Sequence, residues 1–238
     1  MRSAIVTGAG AGIGQAVALA LAARGWRVMA CDIDGAAAMR VAAEAGGGAV
    51  AIAVDVTDEA ALQGVMQRAA AAGPLGAVVH CAALFPRIDL AATDIADFDR
   101  VMAVNLRAAV QISLLAAQAM PNGGALIFLT SGSGLMSVAA DPLQRGFALY
   151  GASKAALDRW VAGVAPELAA GGIFASTITP GAFVETPGLA RTGITPPPGA
   201  ATITAERVAE AVVRLVEDRS GDFAGQRFSA AAFGEGWA

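Results

Sequence analysis

The sequence predicts a doubly wound α/β fold, in which one parallel sheet of about seven strands carries helices on both faces. Short apolar segments alternate with longer segments of helical propensity along the chain, and the short segments are apolar throughout. Strands of that kind are buried on both faces, as in a parallel sheet covered by helices. With 238 residues and no linker or repeat, the chain fits a single domain spanning residues 1–238.

The elements follow one another in a regular order. Strands are predicted at 3–6, 27–31, 49–54, 77–81, 125–130, 173–178 and 226–229. Helices are predicted at 12–24, at 35–45, directly after Thr57 or Asp58 as alternative caps, at about 95–119, at 150–169 and at 205–218. Pro166 should kink or shorten the helix at 150–169, because proline has no backbone N–H to donate.

Composition excludes several classes of partner. Hydrophobic residues make up 56% of the chain and the net charge is −4 without a polybasic run, which argues against nucleic acid and anionic membrane surfaces. A single histidine and two cysteines without zinc spacing predict no metal site. We find no run of ~18 apolar residues and no intact signal sequence, so we expect a cytoplasmic protein without a membrane span.

A glycine-rich turn follows the first strand. Gly8, Gly12 and Gly14 are spaced four and two residues apart, and Ile13 lies between the last two. Glycines at a strand-to-helix turn let the backbone approach a pyrophosphate, and the start of the helix favours negative charge. The turn therefore predicts a dinucleotide site.

Two aspartates follow the next two strands. Asp32 lies eighteen residues after Gly14, where a carboxylate can accept both hydroxyls of a ribose. A 2′-phosphate would meet that carboxylate, and residues 9, 11 and 33 supply no cation, so we expect NAD and not NADP. Asp55 is positioned to bind the adenine amine, with the Val56 backbone beside it.

Tyr150 and Lys154 are the only tyrosine and the only lysine of the chain, whereas arginine fills the other 15 basic positions. Lysine and arginine are not interchangeable, so the one lysine indicates a role that a guanidinium cannot fill. On a helix, residues four apart share a face, and a nearby cation lowers the pKa of a phenol. The pair therefore predicts general acid/base chemistry.

The glycine turn, Asn105 in the middle of the chain and Tyr150-x-x-x-Lys154 together resemble the short-chain dehydrogenase/reductase family of the compact type. The resemblance implies a Rossmann-type domain and an NAD-dependent oxidoreductase that interconverts a secondary alcohol and a ketone by hydride transfer. Tyr150 would be the general acid/base, and Lys154 would hold the nicotinamide ribose and lower the pKa of the tyrosine. Asn105 would anchor a water in the proton relay.

The same resemblance implies a substrate-orienting serine. Ser131 follows the fifth strand, but it lies nineteen residues before Tyr150, whereas the family's spacing is about thirteen, which points to Ser137. We favour Ser131, because a strand end fixes the direction of its side chain while loop length varies. Ser133 and Ser137 stay open.

Further cofactor contacts are implied by position, with departures. The chain has His80-Cys81-Ala82-Ala83 where the family has Asn-Asn-Ala-Gly, and Ala82 keeps the matching place. Pro180 and Gly181 match the turn beside the nicotinamide, and Thr186 would bind the carboxamide after an insertion at Ala182.

The substrate is indicated only as a class. The segment 132–149 is rich in apolar residues that, with Phe85, predict an apolar pocket, and residues 182–204, which contain three successive prolines, predict a substrate lid. The apolar members of the segment are Leu135, Met136, Val138, Phe147 and Leu149. Arg145 is expected to be solvated and not bound to a substrate anion.

Two other functions stay open. An NADP-linked carbonyl reductase is opposed by Asp32. A non-catalytic NAD-sensing protein on the same fold is opposed by the intact set of Asn105, Ser131, Tyr150 and Lys154. From the resemblance alone, we expect a homodimer or homotetramer that pairs through the helices at 95–119 and 150–169.

Overall fold

The computed structural model describes residues 1–138, 140–218 and 220–234, and its centre is a seven-stranded parallel sheet. The strands are β1 (Ser3–Thr7), β2 (Arg27–Asp32), β3 (Val50–Ala53), β4 (Leu75–His80), β5 (Gly124–Leu129), β6 (Ile173–Thr179) and β9 (Arg227–Ser229), in the order β3-β2-β1-β4-β5-β6-β9. Two short strands, β7 (Phe183–Val184) and β8 (Thr202–Ile203), form a separate pair. The predicted doubly wound sheet of the Rossmann type is confirmed.

Helices cover both faces of the sheet. They are α1 (Gly12–Ala23), α2 (Gly35–Ala45), α3 (Glu59–Ala72), α4 (Ile95–Met102), α5 (Ala108–Ala119), α6 (Ala148–Ala170), α7 (Pro187–Arg191) and α8 (Ala205–Glu217). Apolar residues of α1, α2 and α8 pack on one face, and those of α3, α5 and α6 pack on the other. Successive strand residues such as Ile5 and Val6 point into opposite clusters, which explains why the strands are apolar throughout.

The structure settles two helix features that the sequence left as predictions. α6 continues through Pro166 to Ala170, so the proline does not shorten it. Ala165 and Leu168 are buried on either side of the proline, and their packing against the sheet offsets one lost backbone hydrogen bond. Between the two cap candidates, the side chain of Asp58 accepts from the Ala61 N–H and caps α3.

The predicted helix at 95–119 is interrupted by a π-helical turn, Ala103–Arg107, between α4 and α5. The stretch Ile95–Ala119 is long and apolar enough to cross a membrane by length and composition. It is weak evidence for a membrane segment, because core helices pass the same test and α5 buries Ala109, Ile112 and Ala116 against the sheet.

The segment 182–204 holds β7, α7 and β8 and lies beside the carboxyl end of β6. Its β7–β8 pair ties its two ends together, because Phe183 pairs with Thr202 and Val184 with Ile203. Residues 182–204 thus form a folded flap, and its motion as a lid stays a prediction.

Candidate active site

The predicted functional residues gather at the carboxyl edge of the parallel sheet. Strands β1 to β3 are added to the sheet in one direction, and the strands from β4 onward are added in the other. In doubly wound folds a crevice opens at such a switch point, which here lies between β1 and β4. The glycine turn follows β1, Ala82 follows β4, and Ser131 follows β5. The topology therefore brings together residues that lie far apart in the sequence.

The glycine turn forms a cradle that side chains would fill. Gly8 has φ +65° and Gly12 has φ +57°, a left-handed conformation that L-residues rarely adopt. A Cβ atom on Gly8 would lie 2.7 Å from the Ala82 nitrogen, and one on Gly14 would collide with the Gly8 carbonyl oxygen. α1 starts at Gly12 without a side-chain cap, so its first N–H groups have no side-chain acceptor from the cap residue and suit a diphosphate.

Asp32 ends β2 and closes the far side of this cradle. Its Oδ2 accepts from the Gly10 N–H at 2.8 Å, and its Oδ1 accepts from the Asp34 N–H at 3.0 Å. These bonds fix the carboxylate beside the glycine turn, where it could accept hydrogen bonds from the hydroxyls of a ribose. Sequence reasoning missed Arg40, whose Nη2 donates to the Gly10 carbonyl at 2.9 Å from α2.

The other predicted adenine contacts lie after β3. Asp55 is exposed, and its Oδ1 accepts from both the N–H and the hydroxyl of Thr57 at 2.8 Å. Val56 is buried in the core. Part of the Asp55 carboxylate is thus used within its own turn, and its contact with an adenine stays a prediction.

Tyr150 and Lys154 are both buried on the same face of α6, with relative exposures of 8% and 2%. The Lys154 Nζ lies 5.8 Å from the centroid of the Tyr150 ring and donates to the Leu129 carbonyl at 2.7 Å. Burying an ammonium and a phenol costs free energy because each loses hydration, and buried ionisable groups of this kind cluster at functional sites. The structure therefore brings the lone tyrosine and the lone lysine together, as the sequence predicts.

The predicted lowering of the tyrosine pKa is wrong for this structure. Burial raises the pKa of Tyr150 to about 12, against the opposing effect of a hydrogen bond with the Ser131 side chain. Burial lowers the pKa of Lys154 to about 8, and the Asp158 carboxylate and the Cys81 thiol oppose this. Because the ammonium is turned toward Leu129, desolvation outweighs its attraction for a phenolate.

Among the three candidate serines, Ser131 is the one whose side chain interacts with the Tyr150 phenol. Its hydroxyl oxygen also accepts from the Ser133 N–H at 3.2 Å, which orients it at the end of β5. Ser133 is half-buried in the same turn, whereas Ser137 is exposed. The geometry favours Ser131, in agreement with the argument from the strand end.

Asn105 is completely buried in the π-helical turn. Its Oδ1 accepts from the Leu84 N–H at 2.8 Å, and its Nδ2 donates to the Leu84 carbonyl and the Ser153 hydroxyl, both at 2.9 Å. The side chain thus ties the loop after β4 to α6. Both polar atoms of the Asn105 side chain are hydrogen-bonded within the protein, so a relay water would have to bind the backbone of Asn105. This role stays a prediction.

His80 is the last residue of β4, at the position where the resembled family has an asparagine. Its Nδ1 lies 2.8 Å from the Thr7 hydroxyl, and that hydroxyl also accepts from the Ala82 N–H at 3.4 Å. Burial and the nearby Lys154 lower the pKa of His80 to about 3, so the ring is neutral. The histidine joins the ends of β1 and β4 and supports the Ala82 backbone beside the glycine turn.

The turn after β6 closes the crevice on the other side. Gly181 has φ +74°, and a Cβ atom there would collide with the Ser229 hydroxyl. The Thr186 hydroxyl caps α7 by accepting from the Leu189 N–H at 3.2 Å, and a Cβ atom on Gly12 would lie 3.2 Å from the Thr186 methyl carbon. Pro180, Gly181 and Thr186 therefore all line the crevice that the glycine turn opens.

A cavity of about 740 Å³ extends from this crevice to the Tyr150 hydroxyl side of α6. Phe85 stacks on Phe147 with 5.1 Å between ring centroids and contacts Tyr150 at 4.5 Å. The predicted apolar lining is right for Phe85, Leu135, Val138 and Phe147, whereas Met136 is exposed and Leu149 lies outside the lining. Flap residues Leu189 and Ile194 complete the wall.

Two further residues of the site, Arg227 and Asp158, were missed by sequence reasoning. Arg145, as expected, is exposed and pairs with Asp89 at 3.0 Å, whereas Arg227 lines the cavity. Arg227 pairs with Asp158 of α6 at 3.0 Å. Asp158 follows Lys154 by four residues, a spacing that points to the lysine's face, but nothing in the sequence pairs it with Arg227.

Comparison with known proteins gives one consistent family. A family model described as short chain dehydrogenase matches residues 2–194. The chain is 32% identical over 196 residues to a (3R)-3-hydroxyacyl-CoA dehydrogenase of Canis lupus familiaris, a match that covers 77% of this chain and 74% of that protein. It is 34% identical over 184 residues to a sorbitol dehydrogenase of Cereibacter sphaeroides, covering 76% and 70% respectively.

Solved structures agree with this result. The fold superimposes on a 7α-hydroxysteroid dehydrogenase complexed with NADH and 7-oxo glycochenodeoxycholic acid, with a TM-score of 0.84 and 29% identity. That match covers 96% of this chain and 92% of the other.

Proposed function

Because the chain belongs to the short chain dehydrogenase family, an oxidoreductase family, we propose that it interconverts a secondary alcohol and a ketone with NAD as the hydride carrier. The observation that carries the proposal is the position of Tyr150. Its buried ring forms the floor of an apolar cavity, beside Lys154 and Ser131, at the edge of the sheet where the glycine turn opens.

The bound nicotinamide would supply the hydride chemistry, and the protein supplies orientation and a proton. The side chains of Ser131 and Tyr150 interact with each other in the cavity lining, and both hydroxyls could donate to a substrate oxygen there. With a pKa of about 12, Tyr150 stays protonated near neutrality, so it can donate a hydrogen bond to a ketone oxygen, although proton transfer itself would require a lower pKa. In the oxidising direction, Lys154 would have to turn from Leu129 toward the phenol to lower that pKa.

NAD is proposed over NADP on the position of Asp32. The carboxylate is held by the Gly10 and Asp34 N–H groups, so it cannot swing away from a 2′-phosphate without losing two hydrogen bonds. Arg40 is a cation near the glycine turn and would favour the 2′-phosphate of NADP, yet its guanidinium already donates to the Gly10 carbonyl. Steady-state kinetics with both cofactors would decide, and we expect kcat/KM to favour NAD by at least about tenfold.

The cavity supports an apolar substrate of moderate size. Its wall is built mainly from Phe85, Phe147, Leu135, Val138 and Leu189. The lining also includes Asp141, Gln144 and Arg227, but the apolar side chains predominate, so some of the several hydroxyls of a polyol would be buried without partners, which costs free energy. A cyclic or alkyl ketone with one carbonyl near Tyr150 fits better than a sugar alcohol.

The test is an NADH absorbance assay over a panel of cyclic, alkyl and polyhydroxylated alcohols and ketones. Replacing Tyr150→Phe should lower kcat by about a hundredfold to ten-thousandfold, because proton transfer is lost, while binding of NADH is retained. Phe147→Leu is the matched control, since it changes the cavity wall and leaves the phenol in place. Undiminished turnover in Tyr150→Phe would exclude the proposed role of the tyrosine.

A non-catalytic NAD-sensing protein is the competing class. It predicts NADH binding without turnover of any panel member, in the wild type as in Tyr150→Phe. The contact between the Ser131 side chain and the Tyr150 phenol at the cavity argues against it, because cofactor binding alone does not require a serine and a phenol to meet on the substrate side.

We also propose a homo-oligomer that pairs through α4–α5 and α6 in the cytoplasm. Leu114 of α5 is 59% exposed, and Ile95 and Phe98 of α4 are exposed as well, which suits an apolar contact between copies. Light scattering of the purified protein, with Leu114→Glu as the disrupting variant, tests the assembly. A monomer at micromolar concentration would refute it.

A further inference from the structure

Arg227, in the last strand of the sheet, connects three elements of the site. Its Nη2 donates to the Ser131 carbonyl at 2.9 Å, and its Nε lies 3.0 Å from the Asp158 Oδ2. The exposures of the two side chains are 26% for Arg227 and 18% for Asp158, so the pair is partly desolvated. One guanidinium thereby links β9, the loop after β5, and α6.

The bond to Ser131 has a direct geometric consequence. Ser131 lies two residues beyond the end of β5 and caps the short 3₁₀ turn Gly132–Gly134, so its backbone is outside the strand. The guanidinium holds its carbonyl, while its hydroxyl interacts with the Tyr150 phenol. A charged donor makes a stronger bond to a carbonyl than a neutral one, so Arg227 fixes the serine from a strand 96 residues away.

The bond to Asp158 acts on the lysine. Asp158 follows Lys154 by four residues on α6 and therefore lies on the same face of the helix. Its Oδ1 is buried and has no hydrogen-bond partner among the described residues, so its charge is poorly screened. The carboxylate opposes the effect of burial on the pKa of Lys154.

Other titratable groups also act on the lysine or on its partner. The neutral ring of His80 and the thiol of Cys81 approach from the end of β4, and the phenol of Tyr150 from α6. Arg227 approaches through Asp158 from β9. Of these groups, Asp158 carries the negative charge at neutral pH, because burial holds the pKa values of the Cys81 thiol and the Tyr150 phenol at about 12.

We propose that Arg227 and Asp158 form a positioning pair that fixes Ser131 from β9 and presents to Lys154 the negative charge that keeps it an ammonium beside Tyr150. The inference rests on the proposed function for its catalytic meaning. Arg227 weakens the attraction between Asp158 and Lys154, because a carboxylate paired with a guanidinium attracts a second cation less strongly.

The single lysine of the chain allows a direct measurement. Protein labelled with 13C at lysine Cε gives one side-chain NMR signal, whose titration reports Lys154 alone. Asp158→Asn removes the attracting charge, so the titration should move to lower pH. Arg227→Met removes the cation that competes for Asp158, so the titration should move to higher pH.

Shifts in opposite directions are the signature of the pair. A general loosening of the site would hydrate Lys154 in both variants and move both titrations upward. Arg24→Met, which removes an exposed ion pair with Glu217, is the matched control and should leave the signal unchanged. Titrations that move in the same direction, or that do not move, would overturn the proposal.

Kinetics separate the two roles of Arg227. Arg227→Lys keeps a cation for Asp158 but cannot bind two acceptors with a fixed fork. We expect its pH profile to match the wild type while kcat falls on the order of tenfold, because Ser131 is released. Arg227→Met should lose the same kcat and shift the profile as well. A wild-type kcat in Arg227→Lys would refute the link to Ser131.

The NMR titration stands apart from the proposed activity. If the wild type turns over no panel substrate, the proposed function fails, yet opposite shifts of the Lys154 signal would still establish the electrostatic half of the pair. If turnover is found and the shifts are absent, the pair fails while the proposed function stands.

Discussion

The ionisation of Lys154 should be measurable as a pH dependence of stability. Burial gives the lysine a pKa of about 8 in the folded protein, against 10.5 as the ordinary value that applies to the unfolded chain. Below pH 8 both states are protonated, and the cost of burying the ammonium is present in full. Between pH 8 and 10.5 the unfolded state binds more protons, so this residue's contribution to stability rises with pH.

The magnitude follows from the two pKa values. Integrating the linkage relation for pKa values of about 8 and 10.5 gives on the order of 1 kcal/mol of added free energy of unfolding between pH 7 and pH 9. Lys154→Met has no such proton. The difference in unfolding free energy between wild type and variant should therefore change by about 1 kcal/mol over this interval, in favour of the wild type at the higher pH.

The comparison with a variant is needed because other groups titrate in the opposite sense. Burial raises the pKa of the Cys31 and Cys81 thiols and of the Tyr150 phenol to about 12, so the stability they contribute is lost as the pH rises from about 9 or 10. These losses occur in both proteins, and they largely cancel in the difference.

The assay is urea unfolding followed by the fluorescence of the three tryptophans at pH 7 and pH 9. Arg24→Met is the control for removing a surface cation, and its difference from the wild type should not depend on pH. A constant difference between wild type and Lys154→Met at the two pH values would show that Lys154 titrates normally, and the reasoning from burial would be wrong.

Three further predictions concern the cofactor cradle and the serine. Gly14→Ala should abolish NADH binding in calorimetry, because its Cβ would collide with the Gly8 carbonyl and displace the turn; unchanged affinity would contradict the close packing. Asp32→Asn should reduce the preference for NAD over NADP by about tenfold in kcat/KM, since the repulsion of a 2′-phosphate is removed, and an unaltered ratio would exclude this role. Ser131→Ala should lower kcat by at least about tenfold, while Ser137→Ala, on an exposed turn, should not; the reverse result would assign the orienting role to Ser137.

Much of the fold was predictable because it depends on local patterns. β1 and β5 are continuous apolar runs, and the glycine turn carries its own conformational requirement in Gly8 and Gly12. The carboxyl ends of parallel strands meet at one edge, so Ala82 and Ser131 could be placed in the same crevice from their positions after strands. The apolar cavity was likewise visible in the composition of residues 132–149.

Other features depend on contacts that no local pattern records. The π-helical turn around Asn105 is fixed by bonds to Leu84 and Ser153, which come from two other elements. The pairing of Arg227 with Asp158 joins residues 69 positions apart. The pKa of Tyr150 was misjudged for the same reason, because spacing along a helix gives proximity but gives neither burial nor the direction of the neighbouring ammonium.

The preference for lysine at position 154, in a chain that otherwise uses arginine, has a physical explanation in this geometry. Lys154 is buried, and its Nζ reaches the Leu129 carbonyl at 2.7 Å as a compact donor. A guanidinium would bring five N–H groups that this pocket cannot satisfy, and it would stay charged at any pH. With a pKa of about 8, the lysine is a cation near neutrality whose charge responds to its partners. An arginine could not respond in this way, and this sensitivity is what makes the Arg227–Asp158 pair able to influence the chemistry at Tyr150.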